Sequence, residues 1–309
     1  MKYNGFKWFK IGRVCKPRNN SYWTKKYCML PTPLKIGSNV FRIFYSSRNI
    51  KNQSFITYTD IEIKESIKIL RHAKKPSLSP GELGCFDDNG VTPSSVIKFK
   101  KKIFLYYVGW KPRSTTRYSL MGGIAVSNNN GLTFKRYSRA SMFNTSDREP
   151  FQIMTAPFVI RNKKKWMVWY VSCEKWKNSD YPKYNIKFGN SHNGLEWKQS
   201  GKVSINLKKN ERAVARPSVI FKDKKFHMWY CKENKIGTYN LGYAISQNGK
   251  SWRRVDSKVN LKKSKKGWDS KMITYPNVIF HKNKYYMFYN GNDYGKNGFG
   301  IAVSENFKK

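Results

Sequence analysis

The chain has 309 residues, and its 39% apolar and 16% aromatic content supplies a real core, which excludes a disordered polymer. No apolar run approaches the roughly 18 residues of a membrane helix, and residues 1–18 lack the apolar stretch of a secretory signal, so a cytoplasmic location is expected. Five cysteines without a CxxC pair and four scattered histidines exclude a zinc ribbon and an HExxH site, no Gly-rich phosphate loop is present, and no metal or cofactor is expected. The formal net charge is +43, but Lys outnumbers Arg 46 to 15 and stands in short runs between strand-like segments. That pattern reads as a solvated surface with weak, unspecific attraction to polyanions, the alternative being specific attraction to an acidic glycan, an anionic lipid surface or nucleic acid.

A repeat runs through the whole chain. Pro33, Pro93, Pro157, Pro217 and Pro276 stand 60, 64, 60 and 59 residues apart. The first repeat reads TPLKIGSNVFRIFYSS from Thr32, then SFITYTDIEI (54–63), with EIKESIKILRH (62–72) as a short helix or an outer strand. The second reads TPSSVIKFKKKIFLYYVG from Thr92, then GGIAVSNNNGLTF (122–134). The third reads APFVIRNKKKWMVWYVS from Ala156, then KFGNSHNGLEW (187–197). The fourth reads RPSVIFKDKKFHMWYCK from Arg216, then LGYAISQNGKSW (241–252). The fifth reads YPNVIFHKNKYYMFYNG from Tyr275, then FGIAVSENF (299–307). Each opening phrase is a β-branched run, a polar turn and an aromatic run, the pattern of a hairpin. The Asn-Gly turn that follows links a third strand to a fourth. These turns resemble the Asp-box turns of sialidases, with Asn in place of Asp, and are read as structural.

Four strands per repeat and five repeats predict an all-β fold: one five-bladed β-propeller over 1–309, with four antiparallel strands per blade. Innermost strands are expected to begin near the five prolines. The last repeat lacks a full fourth strand, so residues 6–14 are expected to close the last blade.

In a propeller the loops before the innermost strands converge on the central channel. Those loops hold Asp87, Asp88, Glu149, Glu211 and Asp269, five of only 18 acids in the chain. Asp88, Glu149, Glu211 and Asp269 are the candidate catalytic carboxylates, since gathered carboxyls are what acid/base work on a glycosidic bond requires. Arg148, Arg212 and Arg216 share these loops, Arg48 ends FYSSR, and Arg113 and Arg117 follow Trp110. Arg48, Trp110, Arg148, Arg216 and Tyr275 are the candidate substrate-binding residues: the arginines to grip an anionic group, the aromatics to stack on sugar.

The phrases ARPSVIFKDKKFHMWY, GWDSKMITYPNVIF and YYMFYNGNDYGKNGFGIAVS resemble the five-bladed propellers of the invertase, levansucrase and arabinanase superfamily. The resemblance is closest to a glycosidase-like branch found beside surface-polysaccharide genes, and runs from FKWFKIGRV (6–14) to the C-terminus. It implies a glycoside hydrolase-like protein acting on a carbohydrate in the central funnel, in polysaccharide processing or biosynthesis. The enzymes of that superfamily carry Asp before the first-blade proline, a second Asp in blade two and a Glu acid in blade three. Here Thr32, Thr92 and Ala156 precede those prolines, and the first-blade loop has no acid. The alternatives are a non-catalytic glycan-binding propeller and a polyanion or nucleic-acid binder.

Overall fold

The computed structural model describes residues 5–234 and 238–305. It is nearly all β. Strand β1 (Phe9–Cys15) precedes the first series, β2 (Lys26–Lys35), β3 (Val40–Arg48), β4 (Ser54–Ile63) and β5 (Ile67–His72). The second series is β6 (Val91–Phe99), β7 (Lys102–Pro112), β8 (Tyr118–Ser127) and β9 (Lys135–Arg136). The third is β10 (Ile153–Asn162), β11 (Lys165–Trp176), β12 (Pro182–Ser191) and β13 (Lys198–Ile205). The fourth is β14 (Glu211–Lys222), β15 (Lys225–Asn234), β16 (Tyr239–Ser246) and β17 (Arg253–Arg254). The last is β18 (Thr274–His281), β19 (Lys284–Asn290) and β20 (Phe299–Glu305). The segment 62–72 is the outer strand, not a helix: β5 pairs antiparallel with β4.

Hydrogen bonding gathers the strands into three sheets rather than five separate ones. One is β2-β3-β4-β5, one is β1-β20-β19-β18, and the middle three series form a single sheet of 12 strands. They merge because β8 meets β10, and β12 meets β14, in short parallel contacts at Leu120–Ile153 and Tyr184–Ala213. Within each series every pairing is antiparallel. The outer strands β9 and β17 are two residues long. The first strands β2, β6, β10, β14 and β18 touch one another in cyclic order, β18 meeting β2.

The repeated prolines do not open these strands; they sit inside them. Proline has no N–H for a ladder and is tolerated in a strand at a bulge. The ladders skip there, between Thr155 and Phe158, Ala215 and Ser218, and Thr274 and Asn277. The preceding residue is forced left-handed: φ is 49° at Ala156, 52° at Arg216 and 54° at Tyr275. A bulge re-aims a side chain, and here it does so at the same repeat position in three series.

The Ser-x-Asn-Gly turns fasten one series to the next. In the third, the Ser191 hydroxyl accepts from the Gly194 N–H, and Asn193 Oδ1 accepts from Leu195 and Glu196. The turn's outward carbonyl is then taken by the preceding series: Tyr106 donates to Gly194 O and Trp169 to Gly249 O, both at 2.8 Å. Arg42 reaches Asn130 O in the same way.

The first and last strands meet. β1 lies antiparallel on β20, while Phe6 and Trp8 bury among Trp229, Tyr243 and Tyr285. Asn290 bonds the backbone of Cys28 and Leu30, tying β19 to β2. Cys15 and Cys28 face each other across this junction with their sulfurs 3.6 Å apart, and all five cysteines are free thiols. No helix among the described residues is long and apolar enough to cross a membrane.

Candidate functional site

All five first strands line an axial cavity of ≈ 390 Å³, with Thr32, Ser95, Phe158, Val219 and Asn277 among its walls. Arg216 crosses the axis. Its strand β14 is not a neighbour of β2 or β6 in the ring, yet its guanidinium donates to Thr32 Oγ1 at 2.9 Å and to Ser94 O and Oγ at 2.7 and 2.9 Å. Every acceptor is neutral, and burial pulls the group down to about 10.

At one end of the axis, side chains from the ends of the second strands and the starts of the first and third strands form a mouth. Arg48, ending β3, lies between the rings of Tyr27 and Trp110, 5.2 Å from each centroid. Trp110 is held by its N–H to Ser54 Oγ at 2.9 Å. Tyr275 packs with Tyr239 and Tyr294 at 6.4 and 6.2 Å. Tyr118 and Tyr184 share a hydroxyl contact of 3.2 Å, and Trp176 tilts against Tyr118. Arg212 pairs with buried Glu233 and lies over Tyr184. Burial raises the Tyr275 hydroxyl well above the ordinary range, and the group is close enough to Arg48 to feel its charge. It is therefore a standing hydrogen-bond donor.

Arg48, Trp110, Arg216 and Tyr275 thus gather at the mouth and the axis. Arg148 does not: it is exposed, beside Gly201 on the outer strand β13. The four candidate carboxylates do not form one cluster either. Asp269 accepts from Lys10 at 2.6 Å and Tyr289 at 3.0 Å. Glu149 accepts from Tyr170, Ser172 and Gln199 and lies 3.3 Å from Lys187. Glu211 takes a bidentate grip from Arg254 at 2.6 and 2.7 Å. Asp88 bonds Lys111 and the Gly84 N–H, both at 2.9 Å, closing its own loop. Asp87, fully buried, accepts from Tyr107 and Arg136. No hydrogen bond or ion pair among the described residues joins any two of these acids, and no group of three His, Cys, Asp or Glu gathers to hold a metal.

These contacts follow a rule. The second strands share an aromatic-Tyr step, and the buried hydroxyl meets an acid each time: Tyr107 with Asp87, Tyr170 with Glu149, Tyr230 with Asp256, Tyr289 with Asp269. A cation then neutralises the acid, often from the outermost strand: Arg136, Arg254 or Lys10. A buried hydroxyl needs an acceptor and a buried carboxylate a cation. In the first series Tyr45 packs against the thiols of Cys15 and Cys28 instead. Asp256 and Glu233 escaped the sequence reading. Glu233 stands three residues after Tyr230, as Arg48 does after Tyr45 and Trp110 after Tyr107; lining up the repeats on that tyrosine would have found it.

Over 301 residues the chain is 32% identical to "Uncharacterized protein Rv1502" of Mycobacterium tuberculosis (strain ATCC 25618 / H37Rv), covering 97% of this chain and 99% of that protein. The chain belongs to the Rv1502 family. "Uncharacterized protein MT1551" of strain CDC 1551 / Oshkosh matches at the same 32% over the same 301 residues. No family model matches the sequence. Among solved structures, a "Glycoside hydrolase" superposes with a TM-score of 0.72 at 15% identity, covering 99% of this chain and 93% of that one. The endo-arabinase from Bacteroides thetaiotaomicron VPI-5482 gives 0.64 at 12%, covering 92% and 95%. The Bombyx mori GH32 beta-fructofuranosidase BmSUC1 gives 0.62 at 14%, covering 90% and 61%. The chain therefore has the fold of these β-propeller glycoside hydrolases.

Proposed function

We propose that the chain is one five-bladed propeller that binds a glycan at the Arg48–Tyr275 mouth, as a carbohydrate-recognition protein of polysaccharide processing. The observation that carries this is the mouth itself. Aromatic rings from every series converge there with Arg48, Arg117 and Arg212, which is the chemistry that holds sugars by stacking and directed hydrogen bonds. The cyclic contact of the five first strands supports the five-bladed reading, and the glycosidase fold supports a carbohydrate ligand. Hydrolysis by Asp88, Glu149, Glu211 and Asp269 is disfavoured. Acid/base cleavage needs two carboxyls flanking one bond, whereas these four hold tyrosines, cations and backbone in separate places.

A second reading has one observation in its favour. Glu233 is a buried carboxylate among the mouth tyrosines, set on Arg212. In a glycosidase of this fold it is the acid to test first.

A glycan array followed by a hydrolysis screen with furanosides and acidic sugars separates the readings. Binding without turnover, weakened by Trp110→Ala and Tyr275→Ala, is the expected result. Turnover that Glu233→Gln abolishes installs the enzyme reading in its place. Absence of any glycan binding removes both.

A further inference from the structure

Four arginines in this protein are neutralised where they are buried or half-buried. Arg42 forks onto Asp60 with two bonds of 2.8 Å. Arg136 meets Asp87, Arg212 meets Glu233, and Arg254 meets Glu211 and Asp256. Arg48 breaks the pattern. It is half-buried between Tyr27 and Trp110, and no carboxylate among the described residues lies within ion-pair distance; half-buried Arg18 also lacks an acid, but it donates to Ala73 O. Deeper on the axis, Arg216 is fully buried and answered by neutral oxygens alone. On the rim, Arg117 is exposed, 6.0 Å from the Tyr118 ring. Glu233, the buried acid among the mouth tyrosines, is already committed to Arg212.

A guanidinium stripped of water without a counter-ion is unfavourable, and its planar fork is shaped for two oxygens of one anion. Burial lowers the pKa of Arg48, yet a guanidinium stays protonated at neutral pH. The aromatic walls flank the guanidinium, and Tyr275 lies close enough to it for the two groups to feel each other's charge.

We infer that the mouth takes a glycan carrying an oxyanion, a carboxylate, sulfate or phosphate group, and that Arg48 is the residue that grips it. This rests on the glycan-binding reading above. A diffuse cationic coat predicts anion preference too, but that preference is spread over a formal charge of +43, of which Arg48 is one unit.

The test is calorimetric titration at physiological ionic strength with matched oligosaccharides: one neutral backbone and the same backbone bearing a uronate, a sulfate or a phosphate. One anionic form is expected to bind at least about tenfold tighter than the neutral form, and Arg48→Gln to lower the ratio of anionic to neutral affinity by about ten- to a hundredfold. Arg48→Lys, which keeps the charge without the fork, should recover part of the loss; it is also the variant to use if Arg48→Gln does not fold by thermal melting. Equal affinity for neutral and anionic forms, or a preference that survives Arg48→Gln, overturns the inference. If no oligosaccharide binds, the glycan reading has failed, and titration with inorganic sulfate and phosphate decides the anion site alone. Saturable binding that Arg48→Gln abolishes keeps it, and identical binding by both proteins ends it.

Discussion

At the residue scale, the acids of this chain divide by their partners. Asp256 shows the division best. Burial works to raise its pKa, but hydrogen bonds from Tyr230 and Arg254 outweigh burial and hold it at about 2. Glu211 is lowered as well, against burial, by Arg254 and the Lys208 N–H. A carboxyl whose folded pKa lies below its unfolded value stabilises the protein above the unfolded value, and that stability is lost as pH falls through the folded one. For Asp256 the window runs from the ordinary value of 3.8 down to about 2. Chemical denaturation across that range should therefore show a steep loss of stability in the wild type and a flatter one in Asp256→Asn. At neutral pH, Asp256→Asn and Glu211→Gln should each cost about 1–3 kcal/mol, since each leaves Arg254 with fewer partners. Neither should weaken glycan binding; a large loss of affinity in Glu211→Gln at full stability would return that residue to the site.

At the element scale, the Asn-Gly turns act as clasps between neighbouring series. Gly249 has φ of 72°, and a Cβ there would lie 2.6 Å from Met167 Cε and 3.1 Å from the Trp169 ring. Gly249→Ala should lower stability by roughly 1–3 kcal/mol, combining left-handed strain with overpacking. Trp169→Phe removes the N–H to Gly249 O and about a third of a fully buried ring system, and should cost about 2–3 kcal/mol from the lost hydrogen bond and the cavity together. Thermal melts that leave both variants at the wild-type temperature would show that the turns do not fasten the series. The bulges at Ala156, Arg216 and Tyr275 are the other recurring device. They place a strained backbone next to the axis, the position from which Arg216 spans to Thr32 and Ser94.

At the scale of the whole molecule, closure depends on the first strand. Removing residues 1–15 takes away β1, the Lys10–Asp269 pair, and the Phe6 and Trp8 rings from the last core. It also exposes the edge of β20. The truncated chain should lose cooperative thermal unfolding; a truncation that melts like the full chain would contradict closure by β1. The net charge of +43 acts at the same scale. Exposed charges reach only about 8 Å at physiological ionic strength. Binding to a heparin-type resin should be strong at low salt and fall steeply toward physiological salt, and binding to nucleic acid should fade over the same range without sequence preference.

What the sequence determined by itself was what short-range chemistry writes. The five prolines, the Asn-Gly turns and the aromatic-Tyr steps recur near every 60 residues, and each signals a local conformation that needs no distant partner. They carry the strand order and the all-β class, and the loops beside them hold Arg48, Trp110 and Tyr275 of the mouth and Arg216 of the axis. The merging of three series into one 12-stranded sheet was not legible, because it rests on parallel contacts between strands of different repeats. Nor was the role of the loop acids. A carboxylate's chemistry is set by what neutralises it, and Asp269 is neutralised by Lys10, 259 residues away, while Asp87 is answered by Arg136, 49 residues on. Asp87, Asp88, Glu149 and Asp269 do precede their first strands and Glu211 opens its own, but only the tertiary structure decided that these acids hold tyrosines, cations and backbone in place, and that the guanidinium of Arg48 has no acid to meet it.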